Sequence, residues 1–367
     1  MKILLTVPAY LAYSYVNQAE ALAKGFTLLN IQNEVFKANN CSELSSKLQD
    51  YKPDFVIGVG NWTEFDLFVK TPKSLGFPCL PWIVLDEDRI DKFISEYNDF
   101  GLITTPSHHC QEKLVKSGIQ ENIIHVIQEA VDPDLWFPME EKDLQPFLEY
   151  STIPIANNRS LNQWNLVKIH QEQIPVVYTT GGDATKKGAQ EVIQALGKLD
   201  PKIPWIYIIK SWPGSVVFKR SIEELDLAQK VGIINRVRYI SAEYSQVYMR
   251  ALMNICNIYA APSRIEGFGL PHVEAQMCAK PVISLATTAT QETVVHGQTG
   301  FHAKRDFTET NFVKADINDL SQCLHSLITD TNLRCQMSQN AIKHAHTNFS
   351  PKVIAQKFLD LITQTNV

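Results

Sequence analysis

Two glutamates, Glu266 and Glu274, stand with seven residues between them in the segment APSRIEGFGLPHVEAQMCAKPVI, residues 261–283. A carboxylate is a poor phosphate ligand but accepts two hydrogen bonds from a diol, so Glu274 suits a ribose. Gly267 and Gly269 allow the backbone to approach a ligand without a Cβ in the way. The segment therefore predicts a site for a phosphorylated, polyhydroxylated ligand, with Glu266 at its other end.

A strand, a loop and a helix must position these residues. The apolar run 255–261 predicts a buried strand that ends at Pro262. Pro271 lacks an N–H and suits a first helical turn, so we expect a helix to start near Leu270 with Glu274 in that turn. Its free N–H groups and positive dipole end would attract an anion. The alternative is that the two glutamates are an ordinary helix residue and a solvated loop residue.

Cations for a diphosphate are expected in the loop TTGGDATKKG, residues 179–188. It is not a Walker A motif, because no Gly-Lys-Ser/Thr follows the glycines. Lys186 and Lys187 are either phosphate ligands or solvated turn residues. Lys210 closes the strand WIYIIK at the carboxyl edge, where α/β sheets bind ligands.

The segment EGFGLPHVEAQMCAKPVI resembles the signature of retaining nucleotide-sugar glycosyltransferases with the GT-B fold, the family 4-like or group 1 glycosyltransferases. Further segments resemble the same family in order: FGLITTPSHHCQEKLVKSGI, IIHVIQEAVDPDLWFP, VVYTTGGDATKKGAQEVIQAL and NRVRYISAEYSQVYMRALMNICNIYAAPS. The resemblance implies an α/β fold of two Rossmann-like domains that face each other across a cleft. It also implies metal-independent transfer of a sugar from a nucleoside diphosphate sugar to an acceptor hydroxyl, with no separate cofactor.

The resemblance assigns roles to individual residues. The implied catalytic residues are Glu266, which holds the donor sugar, Lys187, which stabilises the leaving diphosphate, and Asp86, which orients the acceptor or stabilises positive charge at the sugar carbon. Asp86 follows the strand PWIVL and is alternatively part of a solvated acidic loop. The implied donor-binding residues are Glu274, Gly267, Phe268, Gly269, Leu270, Lys210, Gly182 and Ala242.

The chain departs from the family in its loops. Relatives commonly have Gly-Arg-x-x-x-x-Lys-Gly in the cation loop, and here Gly181 or Gly182 stands where the arginine would be. Either one of three cations compensates, with Lys210 favoured over Lys186 and Arg264, or the donor phosphates are held differently. After the first strand, PAYLAY replaces a glycine-rich loop, and its tyrosines Tyr10 and Tyr13 either line an acceptor site or pack in the core.

Strand and helix signals alternate along the chain, as in parallel sheets covered by helices. Candidate strands are residues 2–7, 54–58, 82–85, 101–104, 123–127, 176–179, 205–209, 237–240, 255–261 and 281–284. We predict a first, acceptor-side domain at 1–138, an irregular linker at 139–174 and a donor-binding domain at 175–350. A closing helix at 351–367 is amphipathic and, by resemblance, crosses back to the first domain.

Length and composition bound the remaining possibilities. A chain of 367 residues suggests two domains. Residues 1–138 hold 11 Lys and Arg against 18 Asp and Glu, so this part disfavours contact with an anionic membrane surface. No run approaches the roughly 20 apolar residues of a membrane span, and residues 1–20 lack a secretory cleavage pattern, so we expect neither a span nor a leader. Seven cysteines without a C-x-x-C pair favour reduced thiols and a cytoplasmic protein. We predict no nucleic-acid partner and no metal site.

The predicted activity is that of a retaining hexosyltransferase, with the base, the sugar and the acceptor left open. The acceptor is a glycan, a lipid or a small molecule. Alternatives within the same fold are a sugar-nucleotide epimerase and a phosphorylase. A protein that binds a sugar nucleotide without catalysis is a further alternative, because the loop arginine is missing and Ala279 stands where relatives usually have glycine.

Overall fold

The computed structural model describes residues 1–10, 13–85, 89–149, 166–182, 186–241, 243–307 and 313–365. Its internal contacts divide the chain into two compact units. The first unit contains Met1–Asp132, Glu266–Phe268 and Thr347–Val367, and the second contains Pro133–Ile265 and Gly269–His346. The domain limits at 138, 174 and 350 stay predictions.

The first unit is built on a six-stranded parallel sheet in the order β2-β1-β3-β4-β5-β6. Its strands are β1 (Lys2–Pro8), β2 (Gln32–Ala38), β3 (Phe55–Gly60), β4 (Cys79–Ile83), β5 (Ile103–Thr105) and β6 (Ile124–Val126). The five strands expected here are confirmed. The sequence patterns missed β2, which lies at the edge of the sheet and is mostly half-buried, so its apolar signal is weak.

Helices cover both faces of this sheet, as a parallel sheet requires. They are α1 (Tyr13–Leu28), α2 (Cys41–Tyr51), α3 (Thr71–Ser74), α4 (Ile94–Phe100) and α5 (His108–Lys116), and a π-helical turn spans Asp66–Lys70. Alternate residues of β1 separate the two buried layers. Leu5 belongs to the apolar cluster that contains Leu22 and Phe26 of α1, and Leu4 belongs to the cluster that contains Leu44 and Leu48 of α2.

The second unit has a six-stranded parallel sheet in the order β12-β11-β10-β7-β8-β9. Its strands are β7 (Val176–Thr180), β8 (Ile206–Ser211), β9 (Val237–Ser241), β10 (Ile258–Ala260), β11 (Val282–Leu285) and β12 (Gly300–Ala303). A short antiparallel pair follows, formed by β13 (Arg305–Asp306) and β14 (Lys314–Ala315). The expected strands are again found, but the one predicted at 255–261 covers only Ile258–Ala260, because the preceding helix continues to Ile255. Together the two sheets have the architecture of the GT-B fold.

The helices that follow the first unit's sheet are α6 (Glu141–Glu149), α7 (Leu166–Gln171), α8 (Ala189–Leu196), α9 (Ser215–Lys230), α10 (Gln246–Ile255), α11 (Leu270–Met277), α12 (Thr290–Thr293), α13 (Ile317–Thr329) and α14 (Thr331–Phe349). The prediction of an irregular stretch at 139–174 is wrong where α6 and α7 form. Leu144 and Leu148 are buried and one turn apart, so α6 is amphipathic despite Pro146. Residues 150–165 lie outside the described part of the chain.

The closing helix α15 (Pro351–Thr365) belongs to the first unit and packs against α1. Phe358 of α15 lies edge-on to Trp82, with ring centroids 4.9 Å apart. Gly25 of α1 permits the close approach, because a Cβ there would lie 2.1 Å from the carbonyl oxygen of Pro351. The predicted helix is therefore confirmed. Within the described residues, no helix combines the length and the apolar character that crossing a membrane demands.

Candidate functional site

The order of strands in the second sheet singles out one place for a ligand. The chain runs from β7 outward through β8 to β9, and then returns to β10 on the other side of β7. Loops from the two neighbouring strands therefore leave the sheet in opposite directions, and in α/β folds ligands bind in the crevice that this reversal opens. We call the carboxyl ends of β7 and β10, with their loops and the start of α11, the glycine edge.

Glycines shape the loop after β7. Gly181 and Gly182 have φ angles of 100° and 57°, in the left-handed region that side chains rarely adopt. A Cβ on Gly182 would also lie 3.1 Å from a carboxylate oxygen of Glu224 and 3.2 Å from the hydroxyl of Tyr239. A side chain at Gly182 would therefore need a strained backbone and a shift of Glu224 or Tyr239.

The same loop contains Lys187, and the residue after it packs against the loop that follows β10. Lys187 donates its backbone N–H to the carbonyl of Gly182 across 3.2 Å. Lys186 has a φ of 59°, which is uncommon for a residue other than glycine. Gly188, at φ 77°, packs so closely that a Cβ would lie 2.5 Å from the carbonyl oxygen of Pro262, just after β10. Residues 183–185 of this loop lie outside the described part.

Glu274 lies on α11, which begins at Leu270 as predicted, behind Gly269 at φ 97°. Glu274 is the fifth residue of this helix, so the expectation that it stands in the first turn is wrong. Burial raises the pKa of its carboxyl to about 8, and the charge of Lys187 opposes that rise. The two side chains that the sequence proposed for one ligand are therefore close enough to interact.

Tyr178 of β7 is a further side chain near Glu274. Its hydroxyl accepts a hydrogen bond of 2.8 Å from the hydroxyl of Thr180. Burial raises the pKa of Tyr178, and the charge of Glu274 contributes to the rise. Sequence reasoning missed Tyr178 as a neighbour of Glu274, because the two residues come from different elements far apart in the chain.

Lys210 lies at the end of β8, beside β7, and only 7% of it is exposed. Burial lowers the pKa of its ammonium, while Glu243 raises it. The ammonium lies 5.8 Å from the ring centroid of Tyr244 and forms no hydrogen bond or ion pair with another described residue. A buried lysine in this state can accept an anionic partner without first leaving one.

Arg264 is engaged elsewhere. Its guanidinium donates two hydrogen bonds, of 2.8 and 2.6 Å, to the two carboxylate oxygens of Glu191 on α8. Of the three cations considered as substitutes for the missing arginine, Arg264 thus has an anionic partner already within the protein. Glu191 was not singled out from the sequence, where it is one acid within a helix pattern.

The segment Glu266–Phe268 belongs to the first unit, and residues of that unit contact it. Ser107, which caps α5, donates its hydroxyl to the carbonyl of Gly267 across 2.7 Å. Phe268 lies edge-on to Phe349, with centroids 5.6 Å apart. Glu266 is buried.

Among the remaining predicted site residues, Asp86 and Ala242 lie outside the described residues.

The first sheet has its own reversal of strand order, between β1 and β3. We call the carboxyl ends of these strands the tyrosine edge. The ring of Tyr10 is exposed and its hydroxyl donates to Glu64, which also accepts from Thr63. Partial burial and Glu64 raise the pKa of Tyr10 to about 12. Glu64 was missed from the sequence, and nothing is described for the side chain of Tyr13.

Comparisons with known proteins agree with the fold. Residues 164–344 match the family model described as glycosyl transferases group 1. The capsular polysaccharide biosynthesis glycosyltransferase CapM of Staphylococcus aureus is 26% identical over 210 residues, which are 56% of this chain and 50% of that protein. Trehalose synthase of Thermococcus litoralis is 20% identical over 258 residues, 68% of this chain and 55% of that protein. The chain thus spans about half the length of these curated relatives.

Solved structures match over nearly the whole chain. A glycosyltransferase from Rickettsia africae has a TM-score of 0.76 and 18% identity, and covers 99% of this chain and 98% of its own. HepE of Anabaena, solved in complex with UDP and glucose, has a TM-score of 0.75 and 17% identity, with 99% and 100% covered. At this identity the likeness shows the fold.

Proposed function

We propose that this chain, whose residues 164–344 form a glycosyl transferases group 1 domain, moves a sugar from a nucleoside diphosphate sugar to an acceptor hydroxyl with retention of configuration. The observation that supports the proposal is that Lys187, on the loop after β7, lies close enough to Glu274, on the helix after β10, for their charges to interact at the glycine edge. A cation for a diphosphate and a carboxyl for a diol lie together where this kind of sheet binds ligands.

In the proposed complex, Lys187 and Lys210 hold the diphosphate. Lys187 follows β7, and Lys210 lies at the end of the neighbouring strand β8. The Lys210 ammonium forms no hydrogen bond or ion pair with another described residue, although the charge of Glu243 acts on it. Because Gly182 stands where relatives have an arginine, we assign the second positive charge to Lys210 of β8. Metal independence is part of the proposal, because two ammonium groups stabilise the charge on the leaving group.

Glu274 is proposed to accept hydrogen bonds from the ribose diol. Only the ionised carboxylate offers both oxygens as acceptors. With a pKa raised to about 8, the carboxyl is largely protonated at neutral pH in the unliganded protein. We therefore expect the affinity for the nucleotide to rise as the pH rises toward 8 and above.

The chemical step is proposed to be a front-face displacement. The bond between the sugar carbon and the diphosphate oxygen breaks, the acceptor oxygen bonds to the same carbon on the same face, and the acceptor proton passes to the leaving phosphate oxygen. Glu266 and the amides of residues 267–269 hold the sugar hydroxyls, and Asp86 orients the acceptor.

Two further parts of the proposal concern the partners and the compartment. UDP is our first choice of nucleotide, because HepE was solved with UDP and with UDP-glucose. The acceptor is a glycan, a lipid or a small molecule with a free hydroxyl. The seven cysteines are all free, which supports a reducing compartment and hence the cytoplasm.

The test is a transfer assay with UDP-, GDP- and ADP-linked hexoses and a panel of hydroxylated acceptors. We expect release of the nucleoside diphosphate and a product with the anomeric configuration of the donor, read by NMR. Glu274→Ala and Lys187→Ala should each reduce kcat/KM at least about tenfold, or about 1.4 kcal/mol. The exposed ion-pair variant Lys304→Met is the control.

The outcomes separate the alternatives. Isomerisation of the donor without an acceptor would identify an epimerase, and dependence on inorganic phosphate would identify a phosphorylase. Nucleotide binding without turnover of any donor would identify a binding protein, and the catalytic proposal would be rejected.

A further inference from the structure

The ion pair between Glu191 and Arg264 is buried and has two well-formed hydrogen bonds. The side chains are 2% and 19% exposed, and the Nε and NH2 donors of Arg264 reach separate oxygens of the same carboxylate at 2.8 and 2.6 Å. Such fork geometry fixes direction as well as distance. A buried pair of this kind is costly to desolvate and is weak evidence for stability alone, so its position has to be examined.

The pair joins the two loops of the glycine edge. Glu191 stands in the first turn of α8, directly behind the loop that carries Lys187, and Arg264 stands in the loop after β10. The backbone N–H of Arg264 also donates to the carbonyl of Lys186 across 2.9 Å. A third contact is that of Gly188 with Pro262, which leaves no room for a Cβ.

These three contacts surround Lys187 along the chain, one at the residue before it and two at residues after it. Lys186 is held in the left-handed region, which a lysine adopts only where its surroundings determine the backbone. The loop after β7 is therefore held against the loop after β10, the loop that leads into α11 and Glu274.

We infer that Glu191 and Arg264 are positioning residues: their ion pair fixes the backbone of Lys186–Gly188 so that the ammonium of Lys187 stays beside Glu274. The part of this inference that concerns a diphosphate rests on the proposed function, whereas the fixing of the loop does not. Neither side chain has to touch the ligand. The competing interpretation is that the pair only stabilises the second unit as a whole.

Hydrogen exchange tests the fixing of the loop without any ligand. In Glu191→Gln and in Arg264→Lys, we expect exchange of the Lys187 and Arg264 amides to accelerate at least about tenfold. The Arg264 amide donates across the two loops to Lys186, and the Lys187 amide donates to Gly182 within the loop that the ion pair holds. The amide of Tyr207 in the centre of β8 should change less than about twofold. Lys304→Met, which removes an exposed ion pair of the same unit, is the control.

Unchanged exchange at Lys187 and Arg264 would overturn the inference, and so would a uniform acceleration that includes Tyr207, which indicates general destabilisation. Should a single variant not fold, the exchanged pair Glu191→Arg with Arg264→Glu is used instead. Partial return of slow exchange in that double variant, relative to either single reversal, supports the inference, and no return contradicts it.

Calorimetry with UDP and uridine then tests the ligand. For Glu191→Gln we expect UDP affinity to fall at least about tenfold and uridine affinity to change less than about twofold, because only UDP carries the diphosphate that Lys187 holds. Equal losses for both ligands would contradict positioning of Lys187. If the wild-type protein binds neither, the proposed function fails for this nucleotide, and the exchange result alone decides the inference.

Discussion

The glycine edge and the tyrosine edge occupy the same place in two sheets of the same kind, yet they carry different chemistry. Each stands where the strand order of its sheet reverses. The glycine edge has left-handed backbone, a lysine and a carboxyl whose pKa is raised. The tyrosine edge has an exposed phenol bonded to Glu64.

The difference shows that strand order decides where a ligand binds and that loops decide which ligand binds. We expect a diphosphate at the glycine edge, because Lys187 supplies positive charge there. At the tyrosine edge Glu64 would repel a phosphate, while the Tyr10 ring and the polar groups of Thr63 and Glu64 suit neutral hydroxyls.

The largest expected effect tests whether charge at the glycine edge drives the reaction. Lys187→Ala should lower kcat by about 100-fold or more, because loss of one group that stabilises developing charge has effects of that order. Steady-state kinetics with UDP-glucose measure it. Lys202→Ala, which removes an exposed lysine of the same unit, should change kcat by less than about twofold. Equal losses in both would mean that bulk charge, and not this site, is responsible.

A second substitution tests the left-handed backbone that distinguishes the glycine edge. Gly188→Ala should lower the free energy of unfolding by about 3 kcal/mol, since it adds a left-handed alanine and a Cβ 2.5 Å from the Pro262 carbonyl. Urea denaturation measures the loss. Gly76→Ala is the matched control: it has a similar φ of 79° with no atom within 4 Å, so it should lose only about 1 kcal/mol. Equal losses would show that the close approach to Pro262 is unimportant.

The raised pKa of Glu274 gives a pH-dependent contrast. The folded pKa of about 8 lies above the ordinary value of 4.5, so the folded protein keeps a proton on Glu274 that the unfolded chain releases. The contribution of this carboxyl to the free energy of unfolding is therefore fully present below pH 4.5 and is lost as pH rises to 8. Glu274→Gln stays neutral, and its advantage over wild type should grow from near zero at pH 4 to about 2 kcal/mol at pH 9, allowing for partial exposure. Urea unfolding across this range checks the prediction, and a constant difference would contradict it.

A smaller effect is expected at the other end of α11. Ala279 has a φ of 56° and closes the helix with bonds from its N–H to Gln276 and from Lys280 to Ala275. This is the helix ending that favours glycine, so Ala279→Gly should raise the free energy of unfolding by about 1 kcal/mol. Thermal unfolding measures the gain. A loss of stability would show that the Ala279 methyl packs favourably.

The smallest expected effect belongs to the tyrosine edge. Tyr10→Phe removes the hydroxyl bonded to Glu64 and should leave UDP affinity within about twofold of wild type, because no diphosphate is proposed there. Titration calorimetry measures the affinity. A tenfold loss of UDP affinity would contradict the proposal that the diphosphate binds at the glycine edge and not at the tyrosine edge.

Local patterns were sufficient to predict the parallel sheets, the start of α11 at Leu270 and the candidates Lys187 and Glu274. They failed where burial is partial, as in β2, and by one turn in the placement of Glu274. Linear sequence also could not show that Glu224 and Tyr239, from distant elements, crowd the space beside Gly182.

Contacts at long sequence separation account for the other omissions. Glu191 and Arg264 lie 73 residues apart, and Tyr10 and Glu64 lie 54 apart, so each acid looks like an ordinary polar residue until the fold brings its partner near. The roles of all the candidate site residues stay predictions, those of Lys187 and Glu274 included. The loop that contains Asp86 is outside the described residues.

Calorimetric titration of UDP into wild type, Lys187→Ala and Glu274→Ala tests the central claim, that the glycine edge binds a nucleoside diphosphate through a cation and a carboxyl. The account predicts one site in the wild-type protein and at least about a tenfold loss of affinity, about 1.4 kcal/mol, in each variant. Uridine should lose affinity in Glu274→Ala alone, because it keeps the ribose and lacks the diphosphate. UDP affinity that is unchanged in both folded variants would contradict the claim.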